Sequence, residues 1–299
     1  MTRCLAALLL LCAAQGWAGP PVFMADLNGR YGSAEYHDRV SEAVVAMIEL
    51  QPEAVVIAGD MIAGQVSPPL TDAQIEAMWA SFDQTVYKPL RRHGIQVLAV
   101  PGNHDASIYS EFSSERRAYE QFWRERPPTL SLSPGSEYPW YYGVALAESD
   151  FVGLDVTAPG ALSEEQELFL AQRREAARAR GQLLLVASHL PMYPVSVGRK
   201  EEVFTSRLTP VNGELWIAGH HHAYYAAVTP GGGIQLSLPP LGGNRRTWLG
   251  SQLKTSFGFA STDRDGAPVL FAWPGYEPTG SQPGPPAIGD LRRIEATLN

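Results

Sequence analysis

Five short apolar runs in this chain each end on residues able to hold a metal ion or move a proton. The run 21–25 ends in Asp26-Leu27-Asn28, the run 54–58 in Gly59-Asp60, and the run 95–100 in Pro101-Gly102-Asn103-His104-Asp105. The run 182–187 ends in Ser188-His189 and the run 214–218 in Gly219-His220-His221-His222, so these clusters hold five of the seven histidines. Carboxylate, amide and imidazole without thiol form an oxygen/nitrogen ligand set, which suits Mn, Fe, Zn or Ni better than a closed structural zinc cage. One carboxylate with ligands on both sides points to a two-metal centre. Such centres hold their ions roughly 3.5–4 Å apart and clamp the attacking and leaving oxygens of a phosphoryl displacement. Singly, each cluster reads more readily as ordinary structure: a carboxylate capping a turn, a Gly-Asn turn, a hydrogen-bonded histidine, an exposed histidine tract. It is the five together, each past an apolar run, that carry the chemical signal.

The elements that must position these residues follow from periodicity. The five runs, together with 151–154, read as buried strands. In 38–50, Val40, Val44, Met47 and Ile48 share a helical face; in 72–90, Ile75, Met78, Trp79, Phe82, Val86 and Leu90 do the same. Ser163 followed by Gln166 starts a helix that runs to about residue 179. Alternating strands and helices predict an α/β fold, and in such sheets sites form past the C-terminal strand ends. Beyond about residue 214 the runs 224–228, 234–238, 256–261 and 269–273 follow one another without helices, which predicts antiparallel or mixed sheet. No linker separates the halves, so residues 19–273 read as one domain. Residues 274–289 hold five Pro and four Gly and read as a loop or extended tail, with a short helix expected over 290–298 behind Asp290.

The first 18 residues have the layout of a secretory signal: Arg3, an apolar stretch, then Gly16-Trp17-Ala18 as the cleavage site. A secreted or periplasmic protein starting at Gly19 is the expectation. Both cysteines, Cys4 and Cys12, would leave with that segment, taking with them any disulfide or thiolate ligand. No later run reaches the ~18 apolar residues of a membrane span. With Lys+Arg 23 against Asp+Glu 31 and a net charge of −8, general binding to a nucleic-acid duplex is not expected, since that affinity comes from basic side chains neutralising phosphates.

In order, Asp26-Leu27-Asn28, Gly59-Asp60, Gly102-Asn103-His104-Asp105, His189 and Gly219-His220-His221-His222 resemble the signature of the calcineurin-like metallophosphoesterase superfamily, D-x-H … G-D … G-N-H-[DE] … H … G-H-x-H. The step from Gly153-Leu154-Asp155 to Ser163-Glu164-Glu165-Gln166 also resembles that family, and the likeness spans roughly residues 21–228. The resemblance implies a four-layer αββα sandwich of two mixed β-sheets flanked by helices, in a secreted bacterial-type member. It implies two divalent or trivalent metal ions (Mn, Fe, Zn or Ni), bridged by Asp60. Asp26 and His222, with Asn28, would complete one site; Asn103, His189 and His220 would complete the other. It further implies in-line attack on phosphorus by a hydroxide held between the metals, with His104 protonating the leaving oxygen and Asp105 orienting the His104 ring. The departure is Asn28, which stands where the signature has histidine; a carbonyl oxygen is a weaker donor than imidazole, so the Asp26 site is expected to be the weaker of the two.

Other polar residues carry less. His221 alternates away from its neighbours and is expected not to be a ligand. His37 and His93 read as surface residues at helix ends. Arg245 and Arg246 follow Gly242-Gly243 and read either as donors to a substrate phosphate or as a solvated basic pair. The loop 29–33 follows the first cluster and is expected to shape the pocket. Two functions stay open: a secreted phosphoesterase acting on small phosphate mono- or diesters, and a non-catalytic member of the same fold with a weakened first metal site. The H-x-H-x-D-H cluster of metallo-β-lactamase-type hydrolases is absent. Gly59-Asp60 continues as Met61-Ile62-Ala63-Gly64 rather than the Asp-Arg-Gly of protein Ser/Thr phosphatases.

Overall fold

The computed structural model of the chain describes residues 19–158, 162–192, 195–197, 200–202, 209–245, 257–263, 265–273 and 292–295. The expected signal segment, Arg246 and nearly all of the Pro/Gly-rich tail lie outside the described residues. In chain order the elements are β1 (Val22–Met24), α1 (Asp38–Leu50), β2 (Ala54–Ala58), α2 (Asp72–Phe82), a π-helical turn (Asp83–Tyr87), α3 (Lys88–Arg92), β3 (Gln96–Val100), α4 (Asn103–Ala106), a 3-10 turn (Ser110–Phe112) and α5 (Ser113–Arg124). They continue as β4 (Tyr142–Ala145), β5 (Ser149–Gly153), α6 (Glu164–Arg180), β6 (Leu183–Ser188), β7 (Val195–Val197), β8 (Lys200–Glu202), β9 (Glu214–Ala218), β10 (Tyr225–Val228), β11 (Ile234–Ser237), β12 (Phe257–Thr262), β13 (Pro268–Trp273) and β14 (Arg292–Glu295).

Two mixed six-stranded sheets form the centre, ordered β14-β13-β12-β1-β2-β3 and β10-β11-β9-β6-β5-β4. β1, β2 and β3 are parallel, as are β5, β6, β9 and β11. Side-chain alternation sorts each strand between two cores. Phe23, Val56, Ala58, Leu98 and Val100 meet Phe151, Leu185, Ala187, Leu215 and Ile217 between the sheets. Their neighbours Val22, Met24, Val55, Ile57, Val97 and Ala99 face α1, α2 and α5, while Val152, Leu184, Val186 and Trp216 face α6. The layers are therefore helix, sheet, sheet, helix. Strands buried on both faces explain why the sequence shows continuous apolar runs rather than alternation.

The helices start where their caps lie. Thr71 and Gln74 form a capping box on α2, and the Ser163 hydroxyl accepts from Gln166 N at 3.3 Å at the start of α6. His37, expected as a bystander, is the N-cap of α1, its ring accepting from Arg39 N at 3.3 Å. The single helix expected over 72–90 is interrupted by the π turn, just ahead of Pro89, which has no N–H to continue the α ladder. The late strands do not form a sheet of their own. β9–β11 join one sheet, while β12 pairs antiparallel with β1 and brings β13 and β14 into the other. Where a terminal helix was expected, Arg292–Glu295 is strand: β13 offers an open edge whose backbone groups four residues of chain can pair. No helix among the described residues is long and apolar enough to cross a membrane.

Candidate metal centre

The strands that carry the polar clusters, β1, β2 and β3 in one sheet and β6 and β9 in the other, deliver them to one place. Backbone donors stitch the clusters together. Leu27 N and Asn28 N donate to the Asp60 carbonyl at 2.9 and 3.1 Å, and Gly219 N donates to the His189 carbonyl at 3.1 Å. His104 N donates to Asp60 Oδ1 and His220 N to Asp26 Oδ1, each at 3.0 Å. Four of the gathered residues are non-glycine with left-handed backbone: Asp26 (φ 52°), Asp60 (57°), His220 (67°) and His222 (51°). That region is disfavoured for any side chain bearing a Cβ, and such residues concentrate where function over-determines the backbone.

The side chains form two groups that share Asp60. Ligand atoms of Asp26, Asp60 and His222 lie within 4.8 Å of one another, and His222 Nε2 is 3.3 Å from Asp26 Oδ1. In the second group, His189 Nε2 and His220 Nδ1 are each 2.9 Å from Asn103 Oδ1, and His189 Nε2 is 3.3 Å from Asp60 Oδ1. Two ligands about 2.1 Å from a common ion at tetrahedral or octahedral angles stand about 3.0–3.4 Å apart, so these are spacings of atoms around a cation. The outer imidazole nitrogens support this. His189 Nδ1 lies 2.9 Å from the Ala58 carbonyl and His222 Nδ1 2.7 Å from the Asn244 carbonyl. A carbonyl only accepts, so each Nδ1 carries the proton and each Nε2 turns its lone pair inward.

Tested on its own polar atoms, the centre fits cations. Among the described residues, Asp26 Oδ2 and Asn28 Oδ1 are buried with no hydrogen-bond partner, and Asn28 is only 3% exposed. Around Asp60 and Asn103 the inward-facing atoms are acceptors, an arrangement that needs positive charge between them. A proton can stand in for it. Burial opposes charge on His189, but the adjoining Asp60 carboxylate outweighs burial and pushes the imidazole up to about 9. Burial likewise raises Asp60, yet His189 and then His104 hold its carboxyl well below the usual range. Asp26, Asn28, Asp60 and His222 would hold one ion; Asp60, Asn103, His189 and His220 would hold the other.

Above the pair opens a cleft of about 370 Å³, whose walls include Asn28, Arg30, Tyr31, His104 and Asn244. His104 Nδ1 donates to the Gly64 carbonyl at 2.6 Å, and its Nε2 stands 3.9 Å from Asp60 Oδ2. Tyr31, 59% exposed, stacks on that ring with centroids 4.9 Å apart.

The calcineurin-like phosphoesterase family profile matches residues 20–224, about two thirds of the sequence and every cluster described above. The chain belongs to the calcineurin-like phosphoesterase family. Its fold is similar to that of a purple acid phosphatase from yellow lupin (Lupinus luteus) seeds, with a TM-score of 0.60 and 14% identity over 85% of this chain and 51% of that one. It thus spans about half the length of the lupin enzyme. It is also similar to a dimetal phosphatase from Danio rerio, with a TM-score of 0.51 and 17% identity over 85% of this chain and 95% of that one. At these identities the likeness speaks for the fold. No curated protein sequence matches the chain.

In this family member the structure brings Asp26, Asn28, Asp60, Asn103, His189, His220 and His222 to one place, with His104 beside them. Asp105 does not orient His104. Its two oxygens accept from Ile62 N at 2.8 Å and Gly102 N at 2.9 Å, and the Gly64 carbonyl does the orienting. Burial and then the neighbouring Asp60 charge push Asp105 up to about 7, against those two N–H donors. Arg245 places its guanidinium over the Phe257 ring, 4.9 Å from the centroid, and does not line the cleft. His221 is buried and also stays out of the cleft wall; His93 is exposed, as expected. Sequence reading missed Gln65, whose Oε1 accepts from Asn103 Nδ2 at 2.6 Å. Its place beside Gly64, shortly after Gly59-Asp60, is the only local signal it leaves.

Proposed function

We propose that this protein is a secreted, two-metal phosphoesterase that hydrolyses small phosphate mono- or diesters. The observation that carries the proposal is Asp60. It is the carboxylate common to two ligand groups whose remaining atoms stand at ligand-to-ligand spacing, directly beneath a cleft with His104 on its wall. Bound cations supply Lewis acidity and an acidified water as nucleophile.

The chain's own residues supply the rest. His104 donates the proton that the leaving oxygen needs. The Gly64 carbonyl keeps one proton on Nδ1, so the transferable proton resides on Nε2 beside Asp60. Tyr31 covers one face of the imidazole and restricts its rotation. Arg30, on the cleft wall, brings positive charge to an otherwise acidic protein and favours an anionic substrate. The dimetal phosphatase from Danio rerio, similar in fold, is in keeping with this reading. The proposed export rests on the layout of residues 1–18 and predicts a mature N-terminus at Gly19, whose N–H donates to the Gln51 carbonyl at 2.7 Å.

The test is hydrolysis of p-nitrophenyl phosphate and bis-p-nitrophenyl phosphate by purified protein loaded in turn with Mn, Fe, Zn or Ni. Metal-dependent turnover is expected, with His104→Ala slower by ~10²–10⁴ while still binding metal. Full-rate turnover in that variant would remove His104 from the acid role. Metal binding without turnover of either ester would leave a binding module in place of an enzyme.

A further inference from the structure

We propose that Gln65 is a positioning residue of the metal centre: its side-chain amide fixes which end of the Asn103 amide faces His189 and His220. The inference rests on the two-metal reading above and assigns a role within the Asn103–His189–His220 half of that centre.

An asparagine amide offers a carbonyl oxygen at one end and an NH₂ at the other, and only the oxygen can ligate a cation. Rotated by half a turn, Asn103 would present its NH₂ to His189 Nε2 and His220 Nδ1. An NH₂ at that end offers a cation no lone pair and would close the site to metal. Gln65 selects the ligating orientation. Its Oε1 accepts from Asn103 Nδ2 at 2.6 Å, and in the rotated state that oxygen would face another carbonyl oxygen. Gln65 is held in its own turn, since its Nε2 donates to Ser107 Oγ at 3.2 Å, an oxygen that also accepts from Tyr109 N at 3.3 Å.

The backbone that carries Gln65 is built for this. Gln65 has φ 56°, and its N–H donates to Glu115 Oε2 at 2.9 Å. The preceding residue, Gly64, gives its carbonyl to His104 Nδ1, and a Cβ there would stand 2.4 Å from the His104 carbonyl oxygen. Glycine would suit the left-handed position 65 better than any residue with a Cβ. A glutamine there, with both ends of its amide engaged, is a side chain in use.

Three variants separate the side chain from the backbone. Gln65→Gly deletes the amide and relieves the backbone; Gln65→Met keeps the length without an acceptor; Gln65→Glu keeps an acceptor for Asn103 Nδ2. The probe is Mn²⁺, titrated calorimetrically into metal-free protein, with thermal unfolding measured alongside. The parent is expected to bind two ions. Gln65→Gly and Gln65→Met are expected to bind one of them 10- to 100-fold more weakly while the metal-free proteins unfold close to the parent, and Gln65→Glu is expected to stay within about threefold of it. If Gln65→Gly does not fold, the contrast between Met and Glu decides. Two undiminished ions in both the Gly and the Met variants would overturn the proposal and leave the two-metal reading intact. A parent that binds no Mn²⁺ pair would sink both.

Discussion

Gly59→Ala tests the packing that brings the second ligand group onto Asp60. Gly59 has φ 82°, and a Cβ on it would lie 2.5 Å from His189 Nδ1 and 2.7 Å from Gly102 Cα. Two effects add. A side chain in the left-handed region costs roughly 1–2 kcal/mol, and overpacking a closed site costs roughly 1–3 kcal/mol. Together they come to about 2–5 kcal/mol, which for a domain of this size lowers Tm by about 5–15 °C. The steric part falls on one ligand. An ordinary contact at about 3.5 Å requires the His189 ring to retreat by about 1 Å, which strains its bond to the Ala58 carbonyl. A ligand displaced that far costs on the order of 10² in rate. Gly94→Ala is the control: Gly94 has φ 77° but nothing within 4 Å of its would-be Cβ, so it carries the backbone cost alone. Calorimetry, metal titration and ester turnover on both variants are the assay. Gly59→Ala with the Tm, metal affinity and rate of Gly94→Ala would mean that strands β2 and β6 do not approach as closely as described.

Asn28→His replaces a buried carbonyl, without a hydrogen-bond partner among the described residues, with imidazole beside Asp26 and His222; metal titration should show the weaker of the two sites tightening by about tenfold or more, and an unchanged weaker site would remove Asn28 as a ligand. Glu115→Gln probes the wall behind Gln65. Burial pushes the Glu115 carboxyl up to about 7, with the Gln65 N–H opposing. The folded state therefore holds a proton that the unfolded chain loses near pH 4.5, and parent stability declines as pH rises from there through about 7. Denaturant titrations from pH 5 to pH 8 should show Glu115→Gln gaining on the parent by on the order of 1 kcal/mol, discounted because solvent lies close to the carboxyl; a gap that narrows with rising pH would reverse the sign and refute the assignment. Chelation should lower Tm, since an ion held at 100 times its Kd contributes about 2.7 kcal/mol; a Tm indifferent to chelator would argue that the acceptor cluster is satisfied without cations.

What could be read in advance divides along a physical line. β1, β2, β3, β6 and β9 are buried on both faces, so they appear as unbroken apolar runs, and a carboxylate or imidazole at the end of such a run stands out. α5 gave no comparable signal. Its sequence, SSERRAYEQFWR, buries Tyr119, Phe122 and Trp123 along with Glu115 but is otherwise mostly polar, and its place is set by packing against α2. β4 is a four-residue edge strand. β12 pairs with β1 across some 240 residues of chain, and no local period encodes so distant a partner. The Asp105 reading failed for a local reason. Asn103–Ala106 is a helical turn, in which successive side chains point about 100° apart, so adjacency in sequence put His104 on the cleft and Asp105 in the buried interior.

The same division runs through the centre itself. The ligands are legible because each is chemically conspicuous where it stands, but whether a ligand faces inward is decided by groups that are not. The inward lone pairs of His189 and His222 depend on the carbonyls of Ala58 and Asn244, the ring of His104 on that of Gly64, and the carbonyl end of Asn103 on Gln65. Three of those four partners are backbone oxygens, which every residue has and no motif can mark. Around them the backbone is left-handed at Asp26, Asp60, Gln65, His220 and His222. A chain that holds five non-glycine residues there while turning acceptors toward one another is unfavourable in isolation. Cations relieve the second of those costs and give the first its use, so metal affinity and fold stability in this protein should respond to the same substitutions.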